Sequence, residues 1–429
     1  MIPVIASVLF WVPVAALVIR VLGNSGMKLP DNRLIRFICA DKRTYEPDGE
    51  AGGKELLAVF GLCIAFRLLM YLASFASLAF FSEEKLGFDM FLSHWRQWDV
   101  SNYIRIAEGG YSGYTEDGKF TTLAFFPLTS VFIRIFYLFL RNMNLAAMAE
   151  AVFAYGAGCV YLYGLMRMDY DKERAAGAVV LISIFPYALF FGTGMSESTF
   201  FAMSAAAMYY LRKGDMPMFA VFGVLTSLSR MVGIAVMCPA VVEVFERYDI
   251  IGKIRRKEKA GKILLKNIPP ALAPCIGIPV YWLINYMVTG SAFTYLEYQR
   301  TVWHQGAMYF GKSTELIFGQ IFGGSGNVAL FGIWLPGILC YALIMIALAY
   351  GIRRHRSMYT VFFAACAMVN MSLKWPISAP RYTSALIPLF IVMSDFCENR
   401  KFLKQLVYAV SAALLGIYMT GYLFSKHIL

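Results

Sequence analysis

The feature that most limits this chain is a succession of apolar runs, each near the length of a bilayer-crossing helix. Short turns rich in lysine and arginine separate them. A hydrocarbon core needs roughly 20 apolar residues of helix to cross it. Ile2–Leu22 and Leu56–Phe81 are the first two such runs. Others follow at about 124–141, 147–168, 175–194, 198–212, 216–246, 268–290, 328–350, 357–374, 383–397 and 405–424. Of 429 residues, 59% are hydrophobic and 15% charged, against about 45–50% and about 25% in soluble domains. A soluble enzyme, a nucleic-acid-binding domain and a disordered scaffold are thereby excluded. The expected fold is an all-α integral membrane bundle of 11–13 crossings, without a fixed-period repeat.

The net charge of +12 lies in clusters between the runs, so membrane lipids rather than nucleic acid are the expected partners. Residues 246–267 carry eight Lys/Arg. With Arg353, Arg354, Arg356, Arg400, Lys401 and Lys404 they mark cytoplasmic turns. Residues 23–55 hold six Lys/Arg and six acids and are placed in the cytoplasm too. Residues 82–123, 291–327 and 375–382 then fall outside. Ile2–Leu22 has no basic n-region and reads as a retained span. The eight cysteines form no C-x-x-C pair, and His94, His304, His355 and His427 show no ligand spacing. Neither a disulfide framework nor a structural zinc site is expected.

The outer loop 82–123 has seven acids against four Lys/Arg, a balance unlike that of the cytoplasmic loops. Trp95, Asp99, Tyr103 and Ala107 recur every four residues and would share one face of an interfacial amphipathic helix. Asp99 has two readings. It is a helix cap or an ion-pair partner of Arg96 or Arg105, or it is a general base set among aromatic rings near a substrate hydroxyl.

The order Trp98-Asp99, Tyr103, Ile106-Ala107, Gly110-Tyr111 and Phe125-Phe126-Pro127-Leu128 resembles the PIG-V family of mannosyltransferases. Ser196-Glu197-Ser198, the turn Ser229-Arg230-Met231-Val232-Gly233 and Pro380-Arg381-Tyr382 are similar to further segments of that family, although it more often has proline after the arginine. The resemblance spans about residues 56–400. It leaves 1–22 as an extra N-terminal helix, 23–55 as a cytoplasmic linker and 401–429 as a C-terminal span. It implies a GT-C fold in a bacterial cytoplasmic membrane, with an extracytoplasmic active site. The implied donor is a polyprenyl-phosphate sugar, the acceptor a glycolipid or glycan. Transfer inverts the anomeric centre, and Asp99 matches the family's acidic base.

Two arginines, Arg230 and Arg381, interrupt apolar segments. They are candidates for stabilising a leaving phosphate, or partners in intramembrane ion pairs with Glu197, Glu150 or Glu243. Glu197 either orients the acceptor, binds a cation or pairs with Arg230. Trp98, Tyr103 and Phe126 are expected to shape the substrate cavity. Trp303 and His304 either cover the acceptor or belong to an interfacial aromatic belt. A divalent cation is an open possibility without a spacing signature. Asp169-Tyr170-Asp171 imitates the metal motif of nucleotide-sugar enzymes, but it sits in a short charge-mixed turn. The rival class is a transporter or lipid flippase, supported by broken helices and intramembrane charges.

Overall fold

The computed structural model describes residues 1–40, 49–81, 86–426 and 428. Part of the 23–55 linker, the start of the 82–123 loop and His427 lie outside the described residues. Regular structure is helical throughout; among the described residues, extended chain pairs only in two isolated bridges, Glu116 with Lys119 and Ala307 with Leu373. Among the described residues, six helices are long and apolar enough to cross a membrane: Ile2–Asn24, Gly53–Phe81, Met143–Arg167, Gly261–Thr289, Asn327–Gly351 and Lys401–Leu423. Shorter apolar helices, Pro127–Leu140, Met216–Ser229 and Ser357–Met371, accompany them. The all-helical, membrane-spanning architecture read from the apolar runs is the one the chain adopts, and it is an integral membrane protein.

Met143–Arg167 is central, with 61% of its apolar window buried, whereas Gly53–Phe81 has 17% and presents most of its surface outward. The central helix buries itself through small residues. A methyl group on Gly158 would stand 2.5 Å from the ring of Phe201, so glycine there permits the close approach of the helix Ser196–Lys213.

That neighbouring helix spans the distance between two polar ends of the bundle. Glu197 is in its first turn and Arg212 in its last, about 22 Å apart at helical rise. At the Arg212 end, Asp169 is a buried hub. Arg212 approaches both its oxygens, with Nη2 to Oδ1 at 2.8 Å and Nε to Oδ2 at 2.9 Å. Arg356 Nε donates to Oδ1 at 2.6 Å and the Tyr359 hydroxyl to Oδ2 at 2.7 Å. Asp171 caps the helix Lys172–Ile184 through the Arg174 amide and also pairs with the Arg174 guanidinium. Both acids of the metal-like triplet are thus committed to arginines. The same end holds Arg167 against Glu55 at 2.6 Å and Arg174 against Asp395 at 3.0 Å.

Burial alone would push the Asp169 carboxyl up, but the hydrogen bonds and charges of Arg212 and Arg356 hold it below the usual carboxylate range. Its contribution to stability is therefore complete above about pH 4 and is lost only as pH falls below that. Asp169→Ala strands two guanidiniums and is expected to cost about 3 kcal/mol. Thermal unfolding in detergent at pH 7 checks this, and the difference from wild type should shrink in strong acid.

Candidate active site

At the opposite end, four charged side chains from four segments join in one chain. Arg381 Nη1 donates to Asp99 Oδ2 at 2.7 Å, and Arg381 Nε to Glu197 Oε1 at 2.6 Å. Arg230 Nη1 donates to the same Glu197 oxygen at 2.7 Å. The burial is graded. Glu197 is fully enclosed, the Arg381 side chain is 4% exposed, Arg230 14% and Asp99 28%. Solvent therefore reaches the array through Asp99 and Arg230, while Arg381 and Glu197 form its sealed centre. Glu197 Oε2 has no hydrogen-bond partner among the described residues.

Each member is set by a local break in helix. Arg230 has extended backbone between Met216–Ser229 and the 3₁₀ segment Met231–Val236, so its side chain leaves a helix end instead of lying along a face. Arg381 belongs to the short helix Ala379–Ser384, which has proline in its first turn, where a missing N–H costs nothing. Glu197 lies in the first turn of its helix, where a carboxylate complements the dipole.

The expected continuous helix through Trp95, Asp99, Tyr103 and Ala107 is interrupted. Phe88–Trp95 ends, and Val100–Gly109 begins after a break with Asp99 at its N-cap. Trp98 adopts φ +52°, the left-handed region that a bulky residue enters only when its surroundings impose it. The break turns Asp99 away from Arg96 and Arg105 and toward Arg381. Arg96 Nε donates to Ser101 and Arg105 Nη1 to Asn102. The alternative ion-pair partners also resolve: Glu243 takes Arg247 at 2.7 Å, and Glu150 accepts from Thr199 at 2.6 Å.

Aromatic rings close the site. Tyr103 is buried beside Ser196, Asp99, Glu197 and Arg230. Burial above all, with the two carboxylates adding, pushes its hydroxyl above its ordinary value, so it is a neutral donor at physiological pH. Phe125 meets Tyr103 edge-on at 5.3 Å and Trp303 at 5.4 Å. Phe126 faces the other way and stacks on Tyr281 at 4.1 Å, so Phe125 is the ring that borders the charged array. Trp98 is 38% exposed beside Asp99. His304 is exposed, also at positive φ, and is outside the ion-pair chain.

Sequence reasoning gave Tyr382 no role and missed Tyr422. The Arg230 guanidinium lies 4.4 Å from the Tyr382 ring centre, a cation–π contact. Tyr422, from the last span, donates to the Trp95 carbonyl at 3.1 Å. The Arg-Tyr dipeptide at 381–382 was the available signal for Tyr382, whereas Tyr422 is indistinguishable in sequence from any aromatic in an apolar run. Among the described residues, no group of three or more His, Cys, Asp or Glu side chains could hold a metal ion. At Glu197 the positive charge comes from two guanidiniums, an arrangement unlike a cation cage.

No protein-family model matches the sequence, and no curated protein matches it. Solved structures similar in the course of the chain include the following two. ArnT from Cupriavidus metallidurans, bound to undecaprenyl phosphate, has a TM-score of 0.49 at 14% identity, over 82% of this chain and 64% of that one. The apo oligosaccharyltransferase of Archaeoglobus fulgidus has a TM-score of 0.41 at 11% identity, over 88% and 55%. The chain spans less than two thirds of the length of either.

The burial gradient orders the stability costs. Glu197→Ala leaves the enclosed Arg381 without its inner partner and should lower the thermal midpoint sharply, at about 3–5 kcal/mol. Asp99→Ala removes only the outer, partly hydrated partner and should cost much less. Parallel thermal unfolding of the two variants checks the ranking.

Proposed function

We propose that the protein is a membrane glycosyltransferase of the GT-C type, with the site around Asp99 as its active centre. It transfers a hexose, mannose by its resemblance to PIG-V enzymes, from a polyprenyl-phosphate donor to a glycolipid or glycan acceptor. The observation that carries this reading is the graded array itself. A partly exposed carboxylate inside the W-D-x(3)-Y motif pairs with Arg381, and the buried Glu197 carboxylate links Arg381 to Arg230. The acid-rich outer loop and the basic turns at the other end favour an extracytoplasmic site in a bacterial cytoplasmic membrane.

Asp99 Oδ accepts the proton of the acceptor hydroxyl. The acceptor oxygen bonds to the anomeric carbon while the carbon–phosphate oxygen bond breaks on the opposite face. The electron pair leaves with the polyprenyl phosphate, and the configuration inverts. Negative charge thus disappears at Asp99 and appears on the phosphate. Arg230, the more accessible cation, donates to the leaving phosphate, while Arg381 holds Asp99 and Glu197 in place. In this reading Glu197, sealed from the approach, orients Arg381 and Arg230, Tyr103 donates one hydrogen bond, and Trp98 and the ring of Phe125 line the approach. His304 belongs to the later outer loop, which covers the acceptor.

Asp99→Asn is expected to cut transfer by about 10²–10⁴-fold with little change in thermal midpoint. The test supplies polyprenyl-phosphate mannose and glycolipid extract to the purified protein and measures product. Full activity of the variant would remove Asp99 from the role of base. Counterflow of labelled lipid in liposomes without covalent product would favour the transporter class instead.

A further inference from the structure

One buried charge takes no part in the array. Arg67 lies midway along Gly53–Phe81, is 1% exposed, and has no carboxylate partner among the described residues. A guanidinium in so apolar a place marks a function, because an uncompensated buried charge is costly. Its Nη1 donates to the Ala188 carbonyl at 2.8 Å and approaches Met70 Sδ at 3.0 Å. Nε and Nη2 have no hydrogen-bond partner among the described residues, and the group lies 4.0 Å from the Tyr155 ring centre and 5.6 Å from that of Phe191.

Four residues on, and therefore on the same helix face, the Tyr71 hydroxyl donates to the Gly192 carbonyl at 2.6 Å. Ala188 and Gly192 are the two ends of one 3₁₀ segment. Two donors spaced by four on one helix thus match two carbonyls spaced by four on the other. From this segment the chain turns through Gly194, at φ +78°, where a Cβ would stand 2.7 Å from that of Ala147. It then enters the helix bearing Glu197, and Ser198 Oγ donates back to the Phe191 carbonyl at 3.0 Å. The other side of Tyr71 meets Trp95 edge-on at 4.9 Å and 87°. Trp95 ends the helix that precedes Asp99.

The geometry points to Arg67 and Tyr71 as positioning residues: a two-rung clamp on helix Gly53–Phe81 that holds the Glu197 limb and the Asp99 limb in register for Arg381. Arg67 fixes the 188–192 segment, and Tyr71 touches both limbs. The idea rests on the glycosyltransferase reading for its catalytic consequence, not for its geometry.

The test uses the full chain in detergent, labelled with 5-fluorotryptophan, and compares wild type with Tyr71→Phe and Tyr71→Leu. The first removes the hydroxyl and keeps the ring on Trp95; the other removes both. The Trp98 resonance, assigned with Trp98→Phe, reports the Asp99 limb. Tyr71→Phe is expected to move that resonance and to lower kcat about tenfold to a hundredfold. KM and thermal midpoint should hold, and Tyr71→Leu should act more strongly. An unmoved Trp98 resonance, or a loss of activity that only follows a fall in thermal midpoint, overturns the clamp. If wild type transfers no sugar, the functional reading fails while the fluorine spectra still decide the geometry.

Discussion

One guanidinium holds the site together. Arg381 stands between Asp99 and Glu197, using Nη1 for one and Nε for the other. Its planar fork presents donors in fixed directions, which a lysine ammonium does not. Two carboxylates near one another would otherwise repel. With the arginine between them and Arg230 behind, Glu197 is enclosed in low-dielectric surroundings and still ionised. The helices Phe88–Trp95 and Val100–Gly109, the Glu197 helix and the short Ala379–Ser384 helix are positioned relative to one another by this contact, so the polar chain is also a structural fastening.

Charge is used differently at the two ends of the bundle. Asp169 is surrounded by Arg212, Arg356 and Tyr359, and both its oxygens are occupied. That hub is closed and serves packing. At the Glu197 end one carboxylate oxygen is left without a partner among the described residues, and one carboxylate is partly exposed. Two arrangements of similar residues thus separate into a saturated one and an unsaturated one, and the proposed chemistry lies at the unsaturated one.

Much of this was legible from the residues. Apolar length alone pointed to the helical membrane class, and the interruptions at Arg230, Glu197 and Arg381 stood out because charges are rare in such runs. Which acid meets which arginine was not legible, since the partners come from distant segments and only the fold chooses between Glu197, Glu150 and Glu243. The four-residue spacing from Trp95 to Ala107 hid the break at 96–98, because periodicity continues across a kink that side-chain pairing imposes. Arg67 and Tyr71 escaped notice for a different reason. An arginine that bonds a backbone carbonyl, and a tyrosine among aromatics, leave no pattern in one dimension.

The quartet of Asp99, Arg381, Glu197 and Arg230 sums to no net charge. Seen from beyond a Debye length it has no sign, so it cannot draw an anionic lipid out of the surrounding water by long-range attraction. Under the proposed function, a lipid substrate arrives by sliding along the membrane plane and is recognised at contact. The route of supply is then two-dimensional, and the rate of encounter follows the fluidity of the lipid rather than the salt outside it.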